Sequence, residues 1–460
     1  MLAAMPRRLA LETLVRVERG ARARETLDAA LRRTPLEPRD RDLARELVQG
    51  VLRRRISLDA LLAPLLTRPL DAAHAVDRNA LRLGAYQIAF LDRVPERAAV
   101  HATVEAVKAA GRPRAAGFVN AVLRRLAGLV EAEPSVEPGD DPRAALPRGD
   151  GTWTRLREPV LPDPATDETA WLAAAYSCPE WLVSRFREQH GTDVARTLLE
   201  AGIATPAVAL RPLGGRREEL VAALEARGIA WEAEGPCLLL RGAGAVPELP
   251  GYEEGWFAVQ DPTAAEVAPL LEARPGEGLL ELCAAPGGKT LALAESVGAE
   301  GVLLAVDLPG PRTDALARAV RRRGLAQVAV VGLDATDPDA LPKGLRGRDV
   351  PGFDAVLVDV PCSNTGVLAQ RVEARLRLEG PERIAMLAEQ AAHLLLVAAS
   401  RVRPGGRLVY ATCSIDRTEN EDVVRAFLAE DAEFTLASER ATLPVPGRRG
   451  GGYAALLRRA

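Results

Sequence analysis

Apolar positions in the first quarter of the chain recur at helical spacing. Leu43, Leu47, Val48, Val51 and Leu52 fall on one face, and Ala99, Val100, Thr103, Val104 and Val107 on another, before Gly111 as a stop. Phe118, Val119, Val122, Leu123 and Leu126 form a last stripe. The spacing predicts an all-helical domain over 1–128, with Arg53, Arg54 and Arg55 on the exposed end of one helix. Residues 129–168 are rich in Pro, Asp, Glu and Gly and poor in periodic apolar positions, which predicts a partly mobile linker. A helical pattern returns over 167–191, with Trp181, Leu182 and Phe186 as core candidates. Residues 206–242 alternate strand, helix, strand, strand, so 169–256 is expected to hold a small α+β module. From Phe257 the period switches between two and 3.6 residues. Strands are predicted at 279–283, 302–306, 328–333, 355–359, 407–411, 434–437 and 453–457. Seven strands with helices between the first five imply a doubly wound α/β domain over 257–460, its last two strands an appended hairpin.

Composition narrows the class. A chain of 460 residues is too long for one ordinary core. Aromatics make up only 4% of it, so the core rests on Leu, Val and Ala. Five cysteines, at 178, 237, 283, 362 and 413, are too few and too scattered for a disulfide framework, and they point to a reducing compartment. Neither paired cysteines nor clustered histidines suggest a metal site. The first residues lack the order of a signal peptide, and no apolar run is long enough to span a membrane. A cytoplasmic monomer is expected, since no sustained apolar heptad is legible. The net charge of −3 conceals an asymmetry: residues 1–125 hold 24 Arg and Lys against 14 Asp and Glu, and the remainder 36 against 49. A basic first quarter on an acidic body suggests that this quarter meets a polyanion; the ordinary alternative is a solvated helical surface.

Chemistry gathers in the α/β part. Cys283, Ala284, Ala285, Pro286, Gly287, Gly288 and Lys289 follow the first predicted strand and open a helix. Small residues let the backbone approach a ligand, and helix amides face it. The spacing is not that of a phosphate-binding P-loop. Asp307 ends the second strand, where an acid hydrogen-bonds ribose hydroxyls. Asp334 ends the third, within reach of an adenine edge, and Asp359 ends the fourth. One such acid is an ordinary strand-end cap; three at the same edge suggest a nucleoside cofactor. Cys362 and Cys413 each leave a strand end into a polar turn, Ser363-Asn364-Thr365-Gly366 and Ser414-Ile415-Asp416. A thiol placed so is accessible and open to activation. Cys178, Cys237 and Cys283 read instead as small buried hydrophobes. A cofactor beside two thiols suggests covalent attack on a pyrimidine ring. The chemistry alone does not rank the two thiols.

The combined motifs resemble a known family. Glu281 to Thr290, Asp359 to Gly366, and Tyr410-Ala411-Thr412-Cys413-Ser414 resemble the RsmB/Sun group of RNA cytosine-C5 methyltransferases, as does Val259-Gln260-Asp261-Pro262-Thr263-Ala264 upstream. The first 128 residues resemble the NusB-type RNA-binding bundle, most clearly at Arg39-Asp40-Arg41 and from Gly117 to Arg124. The resemblance covers nearly the whole chain. It implies an all-α NusB-like bundle, a small RRM-like α+β module and a Rossmann-like, seven-stranded methyltransferase domain. It further implies that residues 283–289, Asp307, Asp334 and Asp359 contact S-adenosylmethionine. Cys413 would be the nucleophile and Cys362 would assist release of the covalent adduct. Asp359 would hydrogen-bond the cytosine, and Lys289 would sit near the methyl donor. Ribosomal RNA is the expected partner, with no DNA and no membrane. A tRNA target and a non-catalytic assembly factor are the alternatives, the second disfavoured by the intact thiols and acids. Methylation of an exocyclic nitrogen or of glutamine is disfavoured too, because the fourth-strand loop reads Asp359-Val360-Pro361-Cys362. Departures from the family are Leu376 where Trp is usual, the turn Arg448-Arg449-Gly450-Gly451-Gly452, and the paired prolines Pro309 and Pro311 after Asp307.

Overall fold

The computed structural model describes residues 5–242, 244–342 and 352–460. The chain forms two compact units, Met1–Thr205 with Arg371–Arg377, and Pro206–Gln370 with Leu378–Ala460.

The first unit opens with α1 (Met5–Glu18), α2 (Ala23–Arg33), α3 (Pro38–Arg53), α4 (Arg55–Leu62), α5 (Ala75–Phe90), α6 (Glu96–Ala109) and α7 (Ala116–Leu129). Helix α5 is buried nearly all round, so it is the centre of the bundle, with α1, α3, α4, α6 and α7 packed on it. The stripe of α7 is Val119, Val122, Leu123 and Leu126; Phe118, one position off that face, is 45% exposed. The arginine run also departs from expectation. Arg53 and Arg54 are buried, and Arg55 is half-buried. The reason is local: α3 ends and α4 begins at this run, and the break turns Arg54 over the Phe90 ring, 4.7 Å from its centroid.

Residues 129–168, expected as a linker, are folded. Strands β1 (Ala145–Pro147) and β2 (Trp153–Arg155) pair antiparallel, Leu146 and Leu161 are buried, and the Thr154 hydroxyl donates to Ala89 O at 2.6 Å. Too few apolar residues recur there to give a periodic signal. Helices α8 (Glu168–Tyr176), α9 (Glu180–His190) and α10 (Thr192–Ile203) complete the unit. The segment Arg371–Arg377 joins it as well. The Arg375 guanidinium donates to Arg53 O at 2.8 Å, Ser177 O at 2.7 Å and Gly202 O at 2.7 Å. These carbonyls lie at the C-terminal ends of α3, α8 and α10, where helix dipoles favour a cation.

The second unit carries two sheets. A four-stranded sheet runs in the order β4 (Trp231–Glu234), β5 (Cys237–Leu240), β3 (Val208–Pro212), β6 (Phe257–Val259). Strand β6 pairs antiparallel with β3, Leu210 opposite Val259, so this sheet extends past residue 256. That pairing rests on backbone hydrogen bonds, which apolar spacing does not reveal. The module therefore begins after α10 rather than at 169.

The larger sheet holds β7 (Gly278–Leu282), β8 (Val302–Asp307), β9 (Val328–Gly332), β10 (Phe353–Asp359), β11 (Val402–Thr412), β12 (Phe434–Thr442) and β13 (Gly452–Arg459). Its order is β12-β13-β11-β10-β7-β8-β9. The first five strands are parallel and β13 runs antiparallel between β11 and β12. Both faces of the central strands are buried, as a parallel sheet clothed in helices requires. Register does the rest: Val358 lies opposite Leu282, Leu282 opposite Val306, and Asp359 opposite Ala411. The carboxyl ends of β7, β8, β10 and β11 are therefore level, which is where ligands bind in such sheets.

Candidate active site

The loop after β7 is shaped by two left-handed residues, Cys283 at φ 58° and Gly287 at φ 104°. The left-handed conformation favours glycine at 287, and a Cβ there would lie 2.3 Å from Leu316 Cδ1, so that leucine would have to shift. The helix Gly288–Val297 follows, its first amides at the sheet edge. The loop is braced on three sides. Ala285 N donates to Asp307 Oδ2 at 2.8 Å, Arg312 donates to Ala285 O, and Arg211 Nη2 donates to Gly288 O at 3.2 Å. The second proline of the pair after Asp307 opens the helix Pro311–Arg322, a position that needs no amide hydrogen.

The Lys289 ammonium donates to Asp359 Oδ2 at 2.6 Å. Burial pulls this lysine down, but the Asp359 carboxylate, with Glu281 and Cys413 nearby, outweighs it and holds it above its ordinary value. Lys289 is thus a fixed cation at the foot of the site. Burial pushes the Glu281 carboxyl up to about 8, and pushes the Cys283 thiol up to about 12 with help from Asp307, Asp359 and Glu281. Cys283 is therefore no nucleophile at neutral pH, nor are Cys178 and Cys237, each raised to about 12 by burial. Asp334 stands apart. Strand β9 ends two residues before it, and its exposed carboxylate takes the amide and hydroxyl of Thr336 at 2.9 and 2.7 Å, as a turn former does.

Cys362 and Cys413 meet. Their sulfurs lie 3.2 Å apart beyond β10 and β11. Cys362 is 8% exposed and Cys413 half-buried. The bond to Cys413, followed by burial, raises Cys362 well above an ordinary thiol. Cys362 consequently keeps its proton, while Cys413 is the more exposed of the two sulfurs. Two residues not singled out from the sequence complete the arrangement. Asn364, left-handed at φ 62°, accepts from the Cys413 thiol at 3.3 Å and donates from Nδ2 to Cys362 O at 2.7 Å. Glu419, buried, accepts from Ser363 N at 2.7 Å and from the Ser363 hydroxyl. The Asn-Thr-Gly turn hinted at a left-handed residue at 364; nothing in the pattern marked Glu419. Gly366 N donates to Cys413 O at 3.1 Å, and a Cβ on Gly366 would come within 2.6 Å of the Gly451 backbone.

The unusual C-terminal turn has partners of its own. Arg448 pairs with Glu232 and Glu234, Arg449 with Glu234 and Glu266, and Gly450 N donates to Asp261 Oδ2 at 2.7 Å. Acidic side chains of the four-stranded sheet thus hold this turn against the Gln260-Asp261-Pro262-Thr263 stretch.

The donor set fits an adenosyl sulfonium. Ala284 and Ala285 leave the loop backbone open to close approach, helix amides stand at its end, and the Asp307 carboxylate is level with it. Such a ligand would rest on residues 283–289 and Asp307. The family model for the 16S rRNA methyltransferases RsmB/F matches residues 268–451, and that for the NusB family matches 4–128. A probable ribosomal RNA small subunit methyltransferase B of Synechocystis sp. is 34% identical over 89% of this chain and 85% of its own. Its Bacillus subtilis counterpart is 32% identical over 93% and 89%. Among solved structures, PH0851 superposes with a TM-score of 0.77 at 23% identity over 99% of each chain. NSun6 from Pyrococcus horikoshii shares the fold over 61% of this chain and 98% of its own, with a TM-score of 0.54 at 18% identity. By sequence, fold and site, the chain belongs to the RsmB/F family of S-adenosylmethionine-dependent RNA methyltransferases.

Proposed function

We propose that this protein transfers a methyl group to C5 of a cytosine in small-subunit ribosomal RNA through a covalent Cys413–C6 adduct. The observation that carries this reading is the pair of sulfurs 3.2 Å apart, level with the cofactor loop. The C5 position of an aromatic cytosine is a poor nucleophile. Addition of the Cys413 thiolate to C6 forms a C–S bond and moves an electron pair to C5. S-adenosylmethionine supplies the electrophilic methyl. Loss of the C5 proton to water then returns the electron pair, breaks the C–S bond and restores the ring. Cys362, held protonated beside Cys413, assists release of that sulfur. Lys289 neutralises Asp359 and favours thiolate at Cys413. Asp359 orients the base, while residues 283–289 and Asp307 bound the cofactor site.

A cytosine must leave its stack to reach Cys413, so the target is a flipped or single-stranded base. The basic first 128 residues supply the phosphate attraction that the acidic catalytic part lacks, and binding weakens with salt. The reading places the enzyme in the cytoplasm as a monomer acting on RNA rather than DNA. Among the described residues no helix is long and apolar enough to cross a membrane.

The test is methyl transfer from labelled S-adenosylmethionine to cellular RNA, with the modified base mapped. Cys413→Ser abolishes transfer, and Cys362→Ser accumulates a protein–RNA adduct that survives denaturing electrophoresis. The reverse pattern, or label found in tRNA, overturns the corresponding part of the reading.

A further inference from the structure

Both thiol loops rest on one buried carboxylate. Glu419 lies in the short turn Arg417–Glu419 and is 1% exposed. Its two oxygens accept from the amide and hydroxyl of Ser363, the residue after Cys362. The Ser363 hydroxyl lies 3.1 Å from that of Ser414, the residue after Cys413. Thr365 closes the cluster, its hydroxyl 2.9 Å from Ser414 Oγ and accepting from Ile415 N at 3.1 Å. The turn itself is pinned from β11: Tyr410 donates to Glu419 O, and Thr412 donates to Asn420 Oδ1 at 2.6 Å. Asn420 in turn donates to Ser414 O at 3.0 Å.

We infer that Glu419 is a positioning residue for methyl transfer: it clamps the Cys362 and Cys413 loops together and so sets the distance between the two sulfurs. The inference rests on the reading that these thiols act as a pair. It touches neither substrate nor cofactor and works only through Ser363 and Ser414. A buried carboxylate is costly, and the structure could have held two serines together without one. What the carboxylate adds is two acceptors with fixed geometry, one for a backbone amide and one for a hydroxyl, which stiffen the loop directly behind Cys362. Burial raises this carboxyl from its ordinary value and the serine bonds oppose that rise, so the clamp is kept at a cost in stability.

The test reads sulfur proximity directly. Dibromobimane, an alkylator with two thiol-reactive arms, fluoresces strongly once both arms have reacted. The native protein gives the bridged product and Cys362→Ser gives background. Glu419→Ala is expected to slow bridging about tenfold, since small misplacements of reacting groups carry effects of that order or more. Glu419→Gln, which keeps an oxygen for Ser363 N, recovers most of the rate. In turnover, Glu419→Ala lowers kcat with KM for RNA little changed, and it accumulates the covalent adduct. Cofactor binding by calorimetry reports whether the variant is folded. If Glu419→Ala does not fold, Ser363→Ala decides, with bridging slowed about threefold on loss of one hydroxyl bond. Unchanged bridging in the folded variant overturns the inference, as does lost bridging with normal turnover. Methyl transfer by Cys413→Ser instead overturns the nucleophile assignment, whatever the bridging shows.

Discussion

Each unit buries a polar cluster, and the two are built on opposite principles. Beneath the thiols, Glu419, Ser363, Ser414, Thr365 and Asn420 satisfy one another, and every bond holds a loop that carries a sulfur. At the junction of α3 and α4, Arg54 is 2% exposed, and its two terminal nitrogens have no hydrogen-bond partner among the described residues. Its compensation is the Phe90 ring, with Arg53 and Arg375 nearby and of like charge. A closed network fixes geometry, whereas an incomplete one mainly costs stability. The first cluster fixes the two loops that carry the sulfurs, whereas the second fixes no such pair.

That contrast can be broken most severely at Arg375. Arg375→Ala leaves three carbonyls at helix ends without their donor, and urea denaturation should show a loss of about 3 kcal/mol in the first unit. A smaller effect is expected at Glu281. Its carboxyl is held protonated up to about pH 8, far above its unfolded value. Stability from this group is full below the unfolded value and declines as pH rises to about 8. Glu281→Gln should accordingly raise the melting temperature more at pH 9 than at pH 5; an equal change at both would show that the carboxyl is not raised. The smallest effect is at Arg54. Burial lowers its guanidinium to about 9, so it remains charged at neutral pH. Arg54→Met keeps the length and a contact with Phe90 while removing that charge, and should stabilise by about 1 kcal/mol. Destabilisation instead would mean that the cation–ring contact outweighs desolvation.

The two clusters also differ in how far the sequence revealed them. Cys362 and Cys413 were legible because each follows a strand end in a motif, and parallel register carries such residues to one edge. Asp307 and Asp359 were legible for the same reason. Asp334 shared their pattern, yet it forms a turn with Thr336, because β9 stops two residues early. The arginine run looked like a solvated helix end, since charge predicts exposure until an aromatic ring and a helix break intervene. Glu419 was silent: its partners lie 56 and five residues away, in no periodic relation to it. The hairpin of β1 and β2 and the pairing of β6 with β3 were silent too, being made by backbone bonds.

Arg371–Arg377 follows the Cys362 turn in the chain, yet it is built into the other unit, and the polypeptide then resumes the methyltransferase fold at Leu378. The helical unit is thus not a contiguous stretch of gene. A fragment stopped at Thr205 would lack the guanidinium that closes three of its helices. Grafting a different catalytic half onto this bundle would succeed only if those seven residues were carried along.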